Sequence, residues 1–211
     1  MRRTKEDAEQ TRKAILNSAM DMFYEKGYSK TTFDEIAKRI NLTKGAVYWY
    51  FRNKPDIVAA LINDFADKYI ANIKDFITTH QPVSFASIID MQLFNNRQIR
   101  EDTQYYKFLF FVSCQMEWSE AIINKIQPSI EQTKQVTRKL FIDALQKLQN
   151  DGEIRPDVDI SKICEILMTM YGGILEAYFT KRLTNNIDEL VKTGFSLIFN
   201  NIKTESHTNE D

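Results

Sequence analysis

Cysteine, histidine, proline and glycine are all scarce in this 211-residue chain, at 2, 2, 4 and 6 copies. The two cysteines, Cys114 and Cys164, are widely separated and set in apolar surroundings, so their spacing shows neither a disulfide framework nor a metal site. Both are expected to be buried small hydrophobes of a reducing compartment. His80 near a loop and His207 in the tail do not form a ligand cluster, and no Gly-rich phosphate loop or Ser-His-Asp order is visible. The sequence therefore points away from catalysis, and no cofactor or metal is expected. Long apolar runs are missing too. The N-terminus, Met1 to Asp7, is polar and charged, and no later stretch approaches the roughly 20 apolar residues of a membrane span. The expectation is a cytoplasmic protein with no membrane partner.

Ordinary globular composition accompanies these absences: 43% hydrophobic and 27% charged residues, with a net charge of −1. That near-neutral total conceals an asymmetry. Residues 1–54 carry 12 Lys/Arg against 7 Asp/Glu, a net +5, whereas residues 55–211 carry 16 against 22, a net −6. A basic head on an acidic body suits a chain that offers one end to a polyanion.

Apolar residues recur at three- and four-residue intervals nearly throughout, and strand-like alternation is hard to find, so the fold class is all-α. Ile15, Leu16, Ala19, Met22 and Phe23 form one stripe on a first helix that stops at Gly27, the position of a left-handed cap. Thr32-Phe33-Asp34-Glu35 is a capping box, and Phe33, Ile36, Ala37 and Ile40 make the buried face of a short second helix. Asn41-Leu42 turns the chain, Thr43 caps again, and a third helix runs from about 44 to 51. Asn53 caps a fourth helix with Pro55 in its first turn, whose apolar series from Ile57 to Ile77 persists to about residue 79. Its length, about 35–40 Å, makes it a link between head and body. Further helices are predicted at about 84–97, 102–117, 119–149, 160–182 and 187–203, separated by turn-forming residues.

Helices two and three, joined by so short a turn, fit the helix-turn-helix pattern, whose second helix enters the DNA major groove. On the third helix Val47 and Phe51 share one face, while Lys44, Gly45 and Tyr48 lie on the side left free. Lys44 can donate to guanine O6/N7; Thr32, Thr43, Tyr48, Trp49 and Lys54 have donors suited to phosphate. Gly45 either admits a base edge closely or is a tolerated glycine near a helix start. These seven residues are the DNA-binding candidates.

The stretches Thr31-Thr32-Phe33-Asp34-Glu35-Ile36-Ala37 and Leu42-Thr43-Lys44-Gly45-Ala46-Val47-Tyr48-Trp49-Tyr50-Phe51-Arg52-Asn53-Lys54 resemble the DNA-binding domain of the TetR family of transcriptional regulators. The likeness covers about residues 10–60. It departs from the family pattern at Tyr50, where histidine is common, and Tyr50 is assigned no contact. The resemblance implies an Ω-like homodimer of about nine helices per subunit and a palindromic operator. Residues 105–118 and 170–176 are similar to the AcrR-like multidrug-sensing branch, implying efflux regulation and a bulky aromatic or cationic effector.

The division expected is a helix-turn-helix domain over 1–54, a ligand-binding and dimerisation domain over 55–205, and a polar tail over 206–211. In the body, Phe108, Phe111, Met116, Trp118, Met168 and Tyr171 can be either pocket wall or plain core. Glu117 and Glu176 can balance a cationic ligand or lie on a salt-bridged helix face. The last two helices offer more apolar surface than one subunit covers, which Ile174, Tyr178, Val191, Phe195 and Ile198 would bury in a two-fold four-helix bundle. The whole reads as a ligand-responsive repressor whose partners are double-stranded operator DNA, a small-molecule effector and a second copy of itself. An activator, or a DNA-bending protein without a ligand, is the rival reading.

Overall fold

The computed structural model of the protein describes residues 4–204. The predicted tail 206–211, with His207, lies outside them. Among the described residues there are nine α-helices: α1 (Lys5–Lys26), α2 (Phe33–Arg39), α3 (Lys44–Tyr50), α4 (Lys54–Thr79), α5 (Phe85–Glu101), α6 (Thr103–Phe110), α7 (Glu120–Asn150), α8 (Ile160–Phe179) and α9 (Ile187–Ile202). A π-helical turn, Phe111–Gln115, follows α6. No helix among them is long and apolar enough to cross a membrane.

Two compact units form, the first from residues up to 69 with 99–132, the second from 70–98 with residues 133 onward. In the first, the stripe Ile15, Leu16, Ala19, Met22 and Phe23 is buried as its spacing requires, together with Phe33, Ile36 and Ala37 of α2. Capping follows the local sequence closely. Thr32 accepts from the Glu35 N–H while Glu35 returns to the Thr32 N–H, and Thr43 accepts from the Ala46 N–H. Asn53 Oδ1 accepts from the Asp56 N–H at 2.9 Å, capping α4. Gly27 takes φ +89° and ψ 162°, a positive-φ conformation other than the αL geometry expected of it. Asn41, at φ 54°, turns α2 into α3, with Leu42 N–H bonded to Ala37 O and Asn41 N–H to Lys38 O.

The continuous helix expected over 102–117 is broken. After Phe110 five residues wind as a π-turn, and Met116 is extended at φ −74°, ψ 123°. Phe111, which opens the turn, and Met116, which follows it, are both buried. The turn leaves Cys114 exposed, correcting its expected burial; Cys164 is buried, and burial pushes its thiol upward.

In the second unit, α8 and α9 pack where Gly194 leaves room for Met170; a Cβ there would sit 2.7 Å from the Met170 sulfur. Helix α8 ends at Phe179, short of the expected 182. Lys181, at φ 56°, closes it, with Arg182 N–H on Ala177 O at 2.8 Å and Lys181 N–H on Tyr178 O at 3.1 Å. That is a Schellman closure made without glycine. The Tyr171 hydroxyl donates to Asn96 Oδ1 at 2.9 Å, and Asn96 donates to Asp188 Oδ1 at 2.8 Å, tying α8, α5 and α9 through buried polar groups.

Candidate functional site

Helix α3 is anchored by one face and open on the other. Val47 is fully buried and Phe51 nearly so, whereas Tyr48 is 50% and Trp49 74% exposed. Exposed Lys44 begins the helix, its ammonium 5.7 Å from the centre of the Tyr48 ring. Tyr48 leans on Phe33 of α2 at 4.8 Å between centroids, and Trp49 meets Tyr50 edge-on at 4.6 Å. The Tyr50 hydroxyl is buried and has no hydrogen-bond partner.

Gly45 lies in open space. A Cβ built there would meet only Thr43 Oγ1, at 3.9 Å, an ordinary contact. Nothing in the protein's own packing requires glycine at this position.

The remaining DNA-binding candidates differ in what they have left to offer. The Thr32 hydroxyl donates to Glu35 Oε2 at 2.6 Å, so its proton is engaged. Hydrogen bonds from Lys26 and Thr32 hold the Glu35 carboxyl down at about 2. Thr43 uses its oxygen as a cap acceptor and keeps an O–H to donate. Lys54 donates to the carbonyls of Tyr28 at 2.7 Å and Ser29 at 3.2 Å and lies 4.4 Å from the Tyr28 ring centre. Burial pulls its pKa below the ordinary value, against the opposing charge of Glu117. In this structure Lys54 holds the turn before α2.

Ion pairing sorts the head's charges. Arg12 pairs with Asp64, Lys26 with Glu35, Lys38 with Asp34 and Arg39 with Glu25. Among the described residues of the head, Lys5, Lys13, Lys30, Lys44 and Arg52 make no ion pair, and all five are exposed. Lys44 and Arg52 bracket α3.

Of the sensor candidates, five belong to the first unit and three to the second. Phe108 stacks on Phe65 at 4.1 Å and Phe111 on Phe23 at 5.2 Å, and Met116 is buried. Glu117 accepts a hydrogen bond from Ser29 Oγ, and Trp118 is 54% exposed. In the second unit, Met168 lies 3.7 Å from the Cys164 sulfur, the Tyr171 hydroxyl is hydrogen-bonded as above, and Glu176 pairs with Arg182 at the surface. A small apolar recess in the same unit is lined by Phe76, His80, Met91 and Phe141 among others, with His80 stacked flat on Phe76 at 3.8 Å; the sequence did not single it out. Among the described residues no cluster of His, Cys, Asp or Glu could hold a metal ion.

The dimerisation candidates also separate. Val191 and Phe195 are fully buried within the second unit, and Ile174, Tyr178 and Ile198 are half-buried. The large apolar side chains left exposed on α8 and α9 are Ile166 and Leu197. Gly172 and Gly173 are exposed with nothing near them.

Within the first unit, a seam that the sequence did not indicate runs along α1 and α6. Asp21 Oδ1 accepts from Lys107 at 2.6 Å and from Gln104 at 3.0 Å, and Arg39 lies 3.9 Å from its other oxygen. Burial alone would raise this carboxyl. The hydrogen bonds from Lys107 and Gln104, with the charges of Lys107 and Arg39, hold it below its ordinary value.

Residues 15–61 match the family described as bacterial regulatory proteins, tetR family. Over its length the chain is similar to the probable HTH-type transcriptional regulator ArpR of Pseudomonas putida, 23% identical across 94% of this chain and 96% of the relative. Its fold is that of NalD, the secondary repressor of the MexAB-OprM multidrug efflux pump in Pseudomonas aeruginosa, at a TM-score of 0.76, 21% identity, and coverage of 96% and 100% of the two chains. It is likewise that of SmeT, the repressor of the Stenotrophomonas maltophilia multidrug efflux pump SmeDEF, whose complex with triclosan aligns at a TM-score of 0.77, 18% identity and 93% of each chain.

Proposed function

We propose, from the match of residues 15–61 to the tetR family of bacterial regulatory proteins and the likeness of the chain to HTH-type regulators over its length, that the chain is a member of that family, a DNA-binding regulator rather than an enzyme, and a cytoplasmic transcriptional repressor that binds a palindromic operator as a homodimer and is released by a small effector. Residues 1–54 bind DNA, and residues 55–205 sense the effector and pair the subunits. The observation that carries this reading is the two-sided character of α3: Val47 and Phe51 anchor it, and Lys44, Gly45, Tyr48 and Trp49 remain at the surface.

In the complex α3 lies in the major groove. Lys44 reads a guanine edge, Gly45 admits the base pair beside it, and Tyr48, Trp49 and Thr43 donate to phosphates. Thr32 and Lys54 flank this footprint, engaged within the head as described. Two copies of α3, held about 34–36 Å apart by pairing of α8 and α9, occupy successive grooves. An effector that binds better to a conformer with another spacing lowers operator affinity; a coupling of about 1–3 kcal/mol suffices for a 5- to 150-fold loss. The names of NalD and SmeT support efflux control, and the complex of SmeT with triclosan supports a small-molecule effector, read here as bulky and hydrophobic or cationic.

The test is selection of binding sequences from a random duplex pool, followed by mobility shift of the enriched duplex against a panel of hydrophobic and cationic compounds. Enrichment of an inverted repeat, shifted by a dimer and released by a panel member, is expected. Failure to enrich any sequence refutes operator recognition, and an affinity indifferent to every compound refutes the sensor.

A further inference from the structure

The apolar recess of the second unit, where Phe76, Ile88, Met91, Leu140 and Phe141 meet, has about 20 Å³ of free space, room for about one water. One turn away along α7 and α5, on the same helix faces, the buried residues become polar. Thr137 precedes Leu140 and Phe141 by three and four residues, and Gln92 follows Ile88 by four. We propose that this recess and its polar border are the effector subsite, and that it takes an uncharged molecule whose apolar body enters the recess and whose hydroxyl pairs with Thr137. The proposal rests on the effector reading above and decides between its hydrophobic and cationic forms.

The Thr137 hydroxyl carries the argument. Thr137 is 4% exposed and its Oγ1 is buried without a hydrogen-bond partner, although a threonine in a helix can bond the carbonyl one turn back. A buried hydroxyl left unpaired is costly, a loss that a hydrogen-bonding ligand recovers and a bare hydrocarbon does not. The other polar groups of this interior are engaged with one another: Asn95 donates to the Tyr171 hydroxyl at 2.6 Å, Tyr171 to Asn96 and Asn96 to Asp188. Charge points the same way. Among the described residues of the second unit the buried polar side chains are Gln92, Asn96 and Thr137, and none of them ionises. Glu176 pairs with Arg182 at the surface, and Asp188 is half-buried and accepts from Asn96. His80, the one ionisable residue lining the recess, carries no negative charge in either protonation state. A cation brought here would lose its hydration with no carboxylate to balance it. For a ring to enter, Met91 has to turn aside, which its unbranched side chain permits.

The test uses three probes with one body, para-propylphenol, propylbenzene and para-propylbenzylammonium, titrated by calorimetry into the full-length protein without DNA. The phenol is expected to bind about tenfold more tightly than either of the others. Thr137→Val should weaken it about tenfold, to the level of propylbenzene. The same variant should melt at or above the wild-type temperature when free, since the hydroxyl it removes has no partner there. Thr137→Ser, which keeps the hydroxyl, should restore the affinity. A Thr137→Val protein that melts lower when free shows a structural hydroxyl, and one that binds the phenol like wild type shows that Thr137 does not hold it. Either result overturns the proposal, as does absence of phenol binding or tighter binding of the ammonium probe. Release of the enriched duplex by some other compound would then leave the effector reading standing. Should the phenol bind through Thr137 yet release no duplex, the subsite holds and the sensor reading fails.

Discussion

Lys107 of α6 places its ammonium 2.6 Å from Oδ1 of Asp21 in α1, and both side chains are about four-fifths buried. Through this pair, with Gln104 bonded to the same oxygen, α1 is held on α6 within the first unit. Phe23 stacked on Phe111 and Tyr24 edge-on to Phe110 extend the seam. The same seam contains two buried amide oxygens, Gln104 Oε1 and Gln115 Oε1, without partners, and ends in the π-helical turn. Buried groups left unpaired cost stability, which offsets part of what the ion pair and the ring contacts contribute.

Lys107→Met should destabilise the fold by about 2 kcal/mol, because it leaves the Asp21 carboxylate buried with weaker compensation. The double variant with Asp21→Asn should recover part of that loss. Urea unfolding of the single and double variants measures both. A Lys107→Met protein as stable as wild type would show that the pair does not hold the seam.

The depressed pKa of Asp21 predicts an acid limb. A carboxyl whose folded pKa is below its ordinary value of 3.8 adds stability that is fully present above 3.8 and is lost as pH falls through the folded value. The stability gap between wild type and Asp21→Asn should therefore stay constant from neutral pH down to about 4 and narrow below it. Unfolding series at pH 7, 5 and 3 read this directly; a gap that widens in acid contradicts the assignment.

Gly45→Ala separates folding from recognition. The new methyl meets only Thr43 Oγ1 at 3.9 Å, and alanine favours a helix by up to about 1 kcal/mol, less in a first turn, so thermal stability should hold or rise slightly. Operator affinity should fall more than tenfold if a base edge occupies that space. Unchanged affinity would mean that DNA does not approach Gly45.

Lys44→Ala should reduce operator affinity by about 1–3 kcal/mol and relax preference at one base pair, leaving dimerisation and melting temperature unaltered. A uniform loss across all sequences would reassign Lys44 to a phosphate.

Leu197, 60% exposed on α9, provides a test of pairing. Leu197→Glu should convert a dimer to folded monomers in sedimentation while leaving helical content intact. Val191→Glu should instead unfold the second unit, since that side chain is wholly buried within it. A Leu197→Glu protein that sediments as wild type would move the subunit contact elsewhere.

Local chemistry was legible without coordinates. The capping residues Thr32, Thr43 and Asn53 act through atoms three residues away, and the alternation of Val47 and Phe51 with Lys44 and Tyr48 follows from helical spacing, so both could be read from short stretches. Helix ends made against the usual code could not. Lys181 in a left-handed turn and the π-turn after Phe110 depend on what the following residues pack against, and neither position carries glycine or proline as a signal. Side-chain assignments over long separations were the least legible. Whether Phe111 is core, whether Val191 is exhausted inside its own subunit, and that Asp21 meets Lys107 rather than solvent are matters of distant partners. Periodicity names the apolar face of a helix, but which neighbour covers that face, and which charge is neutralised there, is set when the chain closes on itself.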